Sequence, residues 1–79
     1  MIERIRQKNT YIIGPNIKRL RKERGLKSVD LIAKLQLKGY DISADHYSKI
    51  EKCRNNPTVE LIILLKEIFN CTYDDFFIL

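Results

Sequence analysis

The apolar residues of this chain recur three or four positions apart and rarely alternate with polar residues. Such spacing indicates helices that bury one face, and it gives no support to strands. Glycine and proline divide the pattern into short pieces, because both residues interrupt regular structure. The pattern therefore predicts five short helices, separated at Gly14-Pro15, Gly25, Gly39, Pro57 and residues 70–72.

Residues 15–24 and 28–37 form the first two predicted helices. Pro15 suits the first position of a helix, where its missing N–H would have had no partner. Gly25 is expected to end the first helix in the left-handed conformation. Ser28 or Lys27 is expected to start the second helix, and Ser28 is the better N-cap because its hydroxyl can accept from an early amide. The predicted inward-facing residues are Ile13, Ile17 and Leu20 in the first helix and Leu31 and Leu35 in the second.

The third predicted helix follows Ser43, a good N-cap, and runs to about Lys52. Tyr47 and Ile50 are expected to face inward, while the opposite face is polar. The fourth predicted helix spans residues 58–70 and is apolar over a wide arc, so it must be covered on two sides. Its two apolar stripes are Ile62, Leu65 and Phe69, and Leu61, Leu64 and Ile68.

The last predicted helix spans residues 72–77. Thr72 and Asp75 have the spacing of a capping box at its start. Phe76 and Phe77 are expected to close the core. The fold class predicted from all five pieces is all-α, a compact five-helix domain.

Length and charge narrow the possible functions. The 79 residues suffice for one domain with a small core. The net charge of +5 is unevenly distributed along the chain. Residues 1–28 hold nine basic and two acidic side chains, and residues 29–79 hold six basic and eight acidic ones. This asymmetry favours a polyanionic partner at one face, although a solvated surface is the alternative.

Several classes of function find no support. Cys53, Cys71 and the single histidine are too few for a disulfide framework or a zinc site, and both cysteines are interpreted as reduced apolar residues. No nucleophile with a paired base and no phosphate-binding glycine loop is present, so neither an enzyme nor a cofactor is expected. A bilayer-spanning run and a secretory signal are both missing, so we expect a cytoplasmic protein.

Two helices joined by a compact turn, the second short and polar on its outer face, are typical of the helix-turn-helix unit. Three segments carry a closer resemblance, which covers nearly everything after residue 12. The sequence resembles the Cro and phage-repressor type of helix-turn-helix protein, also called the xenobiotic-response-element family, with its lambda-repressor-like fold. The segments are IGPNIKRLRKERGLKSVDLIAKL (13–35), ISADHYSKIE (42–51) and NPTVELIILLKEIFNCTYDDFF (56–77).

The resemblance implies roles for particular residues. Arg21 and Glu51 match a structural ion pair of the family. The residues that match contacts to bases or nearby phosphates are Ser43, Ala44, Asp45, His46 and Lys49; those matching backbone contacts are Lys52, Arg54 and Asn55. Ser28 and the amides beside it are candidates for a phosphate contact. For Asp45 the alternative is an acid that complements the helix dipole.

Six positions depart from the family pattern, and two of them, Ala44 and Asp45, are poorer in hydrogen-bond donors than is usual. Lys27 replaces the usual Ser or Thr cap, and Ser28 replaces a glutamine. Ile32 stands where a small residue is usual, and Cys53 replaces the glycine that usually ends the recognition helix. The turn LKGYD before Ile42 resembles a subgroup common in Gram-positive bacteria and their phages or mobile elements.

Two further interpretations concern partners. Leu61, Leu64 and Ile68 form an apolar stripe that predicts a homodimer on double-stranded DNA; the alternative is that residues 1–11 fold back over it. Residues 1–12 are assigned to a basic arm and residues 13–79 to the DNA-binding domain. We expect a transcription regulator that represses, and the alternative is a protein-interaction module such as an antitoxin or adaptor.

Overall fold

A computed structural model describes residues 12–79 and shows an all-helical fold. The helices are α1 (Ile13–Glu23), α2 (Ser28–Leu37), α3 (Ala44–Glu51), α4 (Val59–Phe69) and a 3₁₀ helix (Tyr73–Phe77). Helix α1 packs against α3 and the 3₁₀ helix, and α2 packs against α3 and α4. Residues 1–11, which include most of the predicted basic arm, lie outside the described residues, while Ile12 packs against the core.

The prediction of five α-helices is corrected to four, because the last piece is a 3₁₀ helix. Five residues form too few α-helical bonds to offset the cost of nucleation, and 3₁₀ geometry is common in such short segments. The Asp75 carboxylate accepts a hydrogen bond from the Thr72 amide at 2.9 Å, which fixes the start of this helix. Phe76 is buried, but Phe77 is 44 % exposed, so only one of the two phenylalanines closes the core.

The ends of the α-helices follow local chemistry. Gly25 adopts a φ of 68°, which confirms the predicted left-handed end of α1. Helix α1 begins at Ile13, so Pro15 is its third residue rather than its first. The N-cap of α2 is Lys27, the chemically less suitable of the two expected residues. The Asp30 carboxylate holds this end by accepting from the Lys27 amide at 3.0 Å.

The core contains the inward-facing residues predicted for all four α-helices: Ile13, Ile17, Leu20, Leu31, Leu35, Tyr47, Ile50, Ile62, Leu65 and Phe69. It also contains Leu61, which is 0 % exposed. The prediction of Leu61 as a dimer-interface residue is therefore wrong, because its side chain is already enclosed by the core of its own chain.

Polar side chains of α1 attach the C-terminal segment to the domain. The buried Asn16 amide donates to the carbonyl oxygens of Phe76 (3.0 Å) and Ile78 (2.8 Å). Arg19 donates to the Asp75 carbonyl at 2.9 Å. Arg24 donates to the Phe69 carbonyl at 2.8 Å and lies over the Phe69 ring. Part of the basic charge near the N-terminus therefore serves the fold.

Candidate nucleic-acid interface

Helix α3 is anchored on one side and exposed on the other. The Ser43 hydroxyl oxygen accepts from the His46 amide at 3.0 Å, which confirms the predicted N-cap. Tyr47 and Ile50 are buried in the core, whereas Ala44, Asp45 and Lys49 lie on the exposed face. The periodicity of this short helix therefore separates scaffold contacts from the surface available to a partner.

The structure places most of the predicted DNA-contact residues around α3. Ser43, Lys52 and Arg54 are exposed, and His46 and Asn55 are half-buried. The loop after α3 folds back on the helix, because the Lys49 carbonyl accepts from the amides of Arg54 (2.8 Å) and Asn55 (3.3 Å). Ser28 is half-buried at the first position of α2, the helix that packs against α3.

Asp45 and Lys49 form an ion pair that the residue-by-residue interpretation missed. The Asp45 Oδ2 and Lys49 Nζ atoms are 3.1 Å apart. Their side chains are 78 % and 46 % exposed. The signal in the sequence was their spacing of four residues, which puts an acid and a base on the same helix face in the favourable order.

A polar cluster fixes α3 to α1 beneath the exposed face. The Arg21 guanidinium contacts the Glu51 carboxylate through Nε–Oε2 (2.8 Å) and Nη2–Oε1 (3.3 Å), so the expected ion pair is present. Arg21 also donates to the Leu26 carbonyl at 2.9 Å, which ties in the turn before α2. The Tyr47 hydroxyl donates a short hydrogen bond to Glu51. Arg21 therefore links α1 both to α3 and to the turn before α2.

Two groups of this cluster have raised pKa values. Burial raises the pKa of the Tyr47 hydroxyl, and its hydrogen bond to Glu51 raises it further. The hydrogen bond to Glu51 also raises the pKa of Arg21. Tyr47 therefore remains a donor and Arg21 a cation near neutral pH.

Gly14 lets the backbones of α1 and α3 approach closely. A Cβ atom at this position would lie 2.5 Å from the Ile50 carbonyl oxygen, 2.7 Å from that of Glu51 and 2.8 Å from the Cys53 Sγ. Cys53 follows the end of α3 with a φ of 63°, the conformation that glycine adopts most easily. The residue that departs from the family pattern here therefore retains the backbone conformation of a glycine.

The apolar stripe predicted on α4 is only partly available. Leu64 and Ile68 are half-buried. Ile68 lines a shallow surface groove of about 350 Å³ together with Lys34, Leu37 and Lys38. Leu37, the last residue of α2, is 88 % exposed, and sequence reasoning missed it although its spacing of two residues from Leu35 puts it on the other face of the helix. The exposed apolar surface thus joins the ends of α2 and α4.

Within residues 12–79, no group of three or more His, Cys, Asp or Glu side chains is placed to hold a metal ion. None of the helices in this part of the chain is long and apolar enough to cross a membrane. The thiols of Cys53 and Cys71 are both half-buried. The arrangement offers hydrogen-bond donors and acceptors on a rigid helix.

A family model described as helix-turn-helix, of the Cro/C1 type, matches residues 17–76. The chain belongs to the Cro/C1-type helix-turn-helix family. This family consists of DNA-binding regulators and is not an enzyme family. The matched residues include all of α2, α3 and α4. No curated protein matches the sequence closely enough to count as a relative.

Proposed function

We propose that this Cro/C1-type regulator is a repressor that binds specific operator sequences, with α3 inserted into the major groove of double-stranded DNA. The observation that carries the proposal is the exposed polar face of α3, held from behind by buried Tyr47 and Ile50 and by the Arg21–Glu51 ion pair. An α-helix fits the major groove, where each base pair presents a distinct pattern of donors and acceptors. A fixed helix reads that pattern at lower entropic cost than a mobile one.

The residues around α3 divide by the contacts that their chemistry suits. Lys49 is a donor for guanine, and Ala44 suits the methyl group of thymine. Lys52 and Arg54 follow α3 on an exposed loop and suit phosphate oxygens. At the start of α2, Lys27 has no side-chain acceptor for the first amides. A phosphate oxygen beside Ser28 would accept from them.

A homodimer would match a symmetric operator. Leu37, which is 88 % exposed, and the half-buried Leu64 and Ile68 supply apolar surface on α2 and α4. Burying this surface between two copies removes it from water. Two α3 helices would then contact half-sites separated by one helical turn of DNA, about 34 Å.

The test begins with selection from a pool of random duplexes by the purified full chain. Fluorescence anisotropy then measures Kd for the selected duplex and for a scrambled one at about 50 mM and about 200 mM salt. We expect a defined consensus and a steep loss of affinity at the higher salt, since phosphate contacts release counterions. Lys49→Ala should weaken binding more than the matched charge change Lys34→Ala on α2. Failure to bind any duplex at low salt would refute the proposal.

A second candidate function is a protein-interaction module, favoured by the groove that Leu37 and Ile68 line between two lysines. In that case the chain would co-purify with another protein in fixed stoichiometry and show no affinity for DNA. Leu37→Glu would then abolish the protein complex, whereas Lys49→Ala would leave it intact.

A further inference from the structure

The ion pair between Asp45 and Lys49 lies at the centre of the exposed face of α3. The N-cap of this helix is Ser43, so Asp45 is not needed to accept from the early amides. An ion pair with 78 % and 46 % exposed partners also contributes little to the stability of the fold. Asp45 nevertheless holds the cation best placed to contact a base, which suggests a role in recognition.

The pair presents a defined set of hydrogen-bonding groups. A lysine ammonium has three N–H donors, and the contact with Asp45 Oδ2 uses one of them. Two donors of Lys49 remain. Asp45 retains a second carboxylate oxygen, which accepts but cannot donate while it is ionised. The pair therefore offers two neighbouring donors with an acceptor beside them.

A G·C base pair presents the complement of that set. Guanine has two acceptors side by side, N7 and O6, and cytosine offers the N4 donor next to them. In an A·T pair the adenine N6 donor lies between the acceptors N7 and O4, so one ammonium cannot contact both acceptors without crossing a donor. We infer that Asp45 and Lys49 act as one unit that reads a G·C pair in the operator, with Lys49 on guanine and Asp45 on cytosine. This inference rests on the proposed function.

The charges of the two residues explain why they work as a unit. A carboxylate alone would be repelled by the phosphates on both sides of the groove. Lys49 neutralises Asp45 at 3.1 Å, so the carboxylate can approach a base edge. In return Asp45 restrains the ammonium, which otherwise moves freely on its flexible side chain and would attach to any nearby phosphate. Asp45 is thus a specificity-determining residue that lowers affinity for unrelated DNA.

The experiment compares discrimination and not affinity alone. The wild-type chain first selects its preferred duplex, and Kd is then measured for duplexes in which single G·C pairs are replaced by A·T. At one position per half-site, this replacement should weaken wild-type binding by about tenfold. Substituting 7-deazaguanine there, which lacks the N7 acceptor, should also weaken the wild type, while Lys49→Ala should respond to neither change.

Asp45→Ala is the decisive variant. It should bind scrambled DNA more tightly than the wild type while losing most of the preference for G·C at the same position. Asp74→Ala, which removes the same charge from the 3₁₀ helix, should leave that preference unchanged. Circular dichroism and thermal unfolding would verify that both variants retain the fold.

Three results would count against the inference. An unchanged G·C preference in Asp45→Ala, or a consensus without a G·C position sensitive to Lys49, would overturn it while leaving the proposed function standing. Absence of wild-type binding to every duplex would overturn the proposed function and the inference together.

Discussion

Replacing Gly14 with alanine tests how closely α3 must lie against α1. The new Cβ would lie 2.5 Å from the Ile50 carbonyl oxygen and 2.7 Å from that of Glu51, and both atoms belong to the backbone. The two helices must therefore separate by at least about 0.5 Å to reach the shortest contacts that Cβ atoms tolerate. A backbone shift of this kind typically costs about 1–3 kcal/mol.

A second effect acts in the opposite direction. Alanine in a helix is favoured over glycine by up to about 1 kcal/mol. The net expectation is a loss of up to about 2 kcal/mol in the free energy of unfolding. For a domain of this size, each kcal/mol lost corresponds to a fall in Tm of about 4–8 °C. DNA affinity should fall as well, because α3 and Glu51 move relative to Arg21.

Urea unfolding and DNA binding would be measured on Gly14→Ala and on Gly25→Ala as a control. Gly25 has a φ of 68°, and no neighbouring atom lies within 4 Å of the position that an alanine Cβ would take there. The control should lose about 1 kcal/mol through backbone strain alone and keep its affinity for DNA. If Gly14→Ala were more stable than the wild type and bound DNA equally well, the close approach of the two helices would be refuted as a constraint.

Three further predictions follow from other contacts. Cys53→Gly should raise the free energy of unfolding by about 1 kcal/mol in urea titrations, because Cys53 has a φ of 63° that glycine adopts without strain; a loss of stability would show that the thiol contacts outweigh the strain. Tyr47→Phe should lower the free energy of unfolding by about 1–2 kcal/mol, because the largely buried Glu51 carboxylate loses a donor. No change would mean that Arg21 alone supplies the hydrogen bonds that Glu51 needs. The hydrogen bond from the Thr72 amide lowers the pKa of Asp75. Because the pKa of Asp75 is lower in the folded chain, its contribution to stability is present above the pKa of 3.8 in the unfolded chain. That contribution is lost as the pH falls through the pKa of the folded chain. Asp75→Asn should remove this part of the acid dependence in unfolding measured between about pH 2 and 5, and an unchanged profile would contradict the assignment.

Periodicity and capping residues predicted the middle of the fold well. The bounds of α2 match the prediction, and Ser43 caps α3 as expected. These features depend on interactions within about four residues, which a single sequence displays directly. The arrangement of α3 as an exposed helix on a scaffold could therefore be predicted from the sequence.

The burial of side chains on α4 was harder to predict from the sequence, because it depends on how helices distant in sequence pack together. Leu61 and Ile68 looked equivalent by periodicity, yet Leu61 is enclosed and Ile68 borders a groove. Leu37 lines the same groove and is 88 % exposed. The four-residue spacing of Asp45 and Lys49 indicated that the two side chains could pair, but the distance between their charged groups is known only from the structure.

The bonds from Asn16 and Arg19 to the C-terminal segment end on main-chain oxygens of Asp75, Phe76 and Ile78. Every amino acid supplies such an oxygen, so these bonds constrain the course of the backbone and not the identity of the side chains. Apart from Phe76, which fills the core, and Asp75, whose carboxylate holds the start of the 3₁₀ helix, the residues along this path are consequently free to diverge during evolution. The conserved signature of the attachment would instead be carried by α1, some sixty positions upstream.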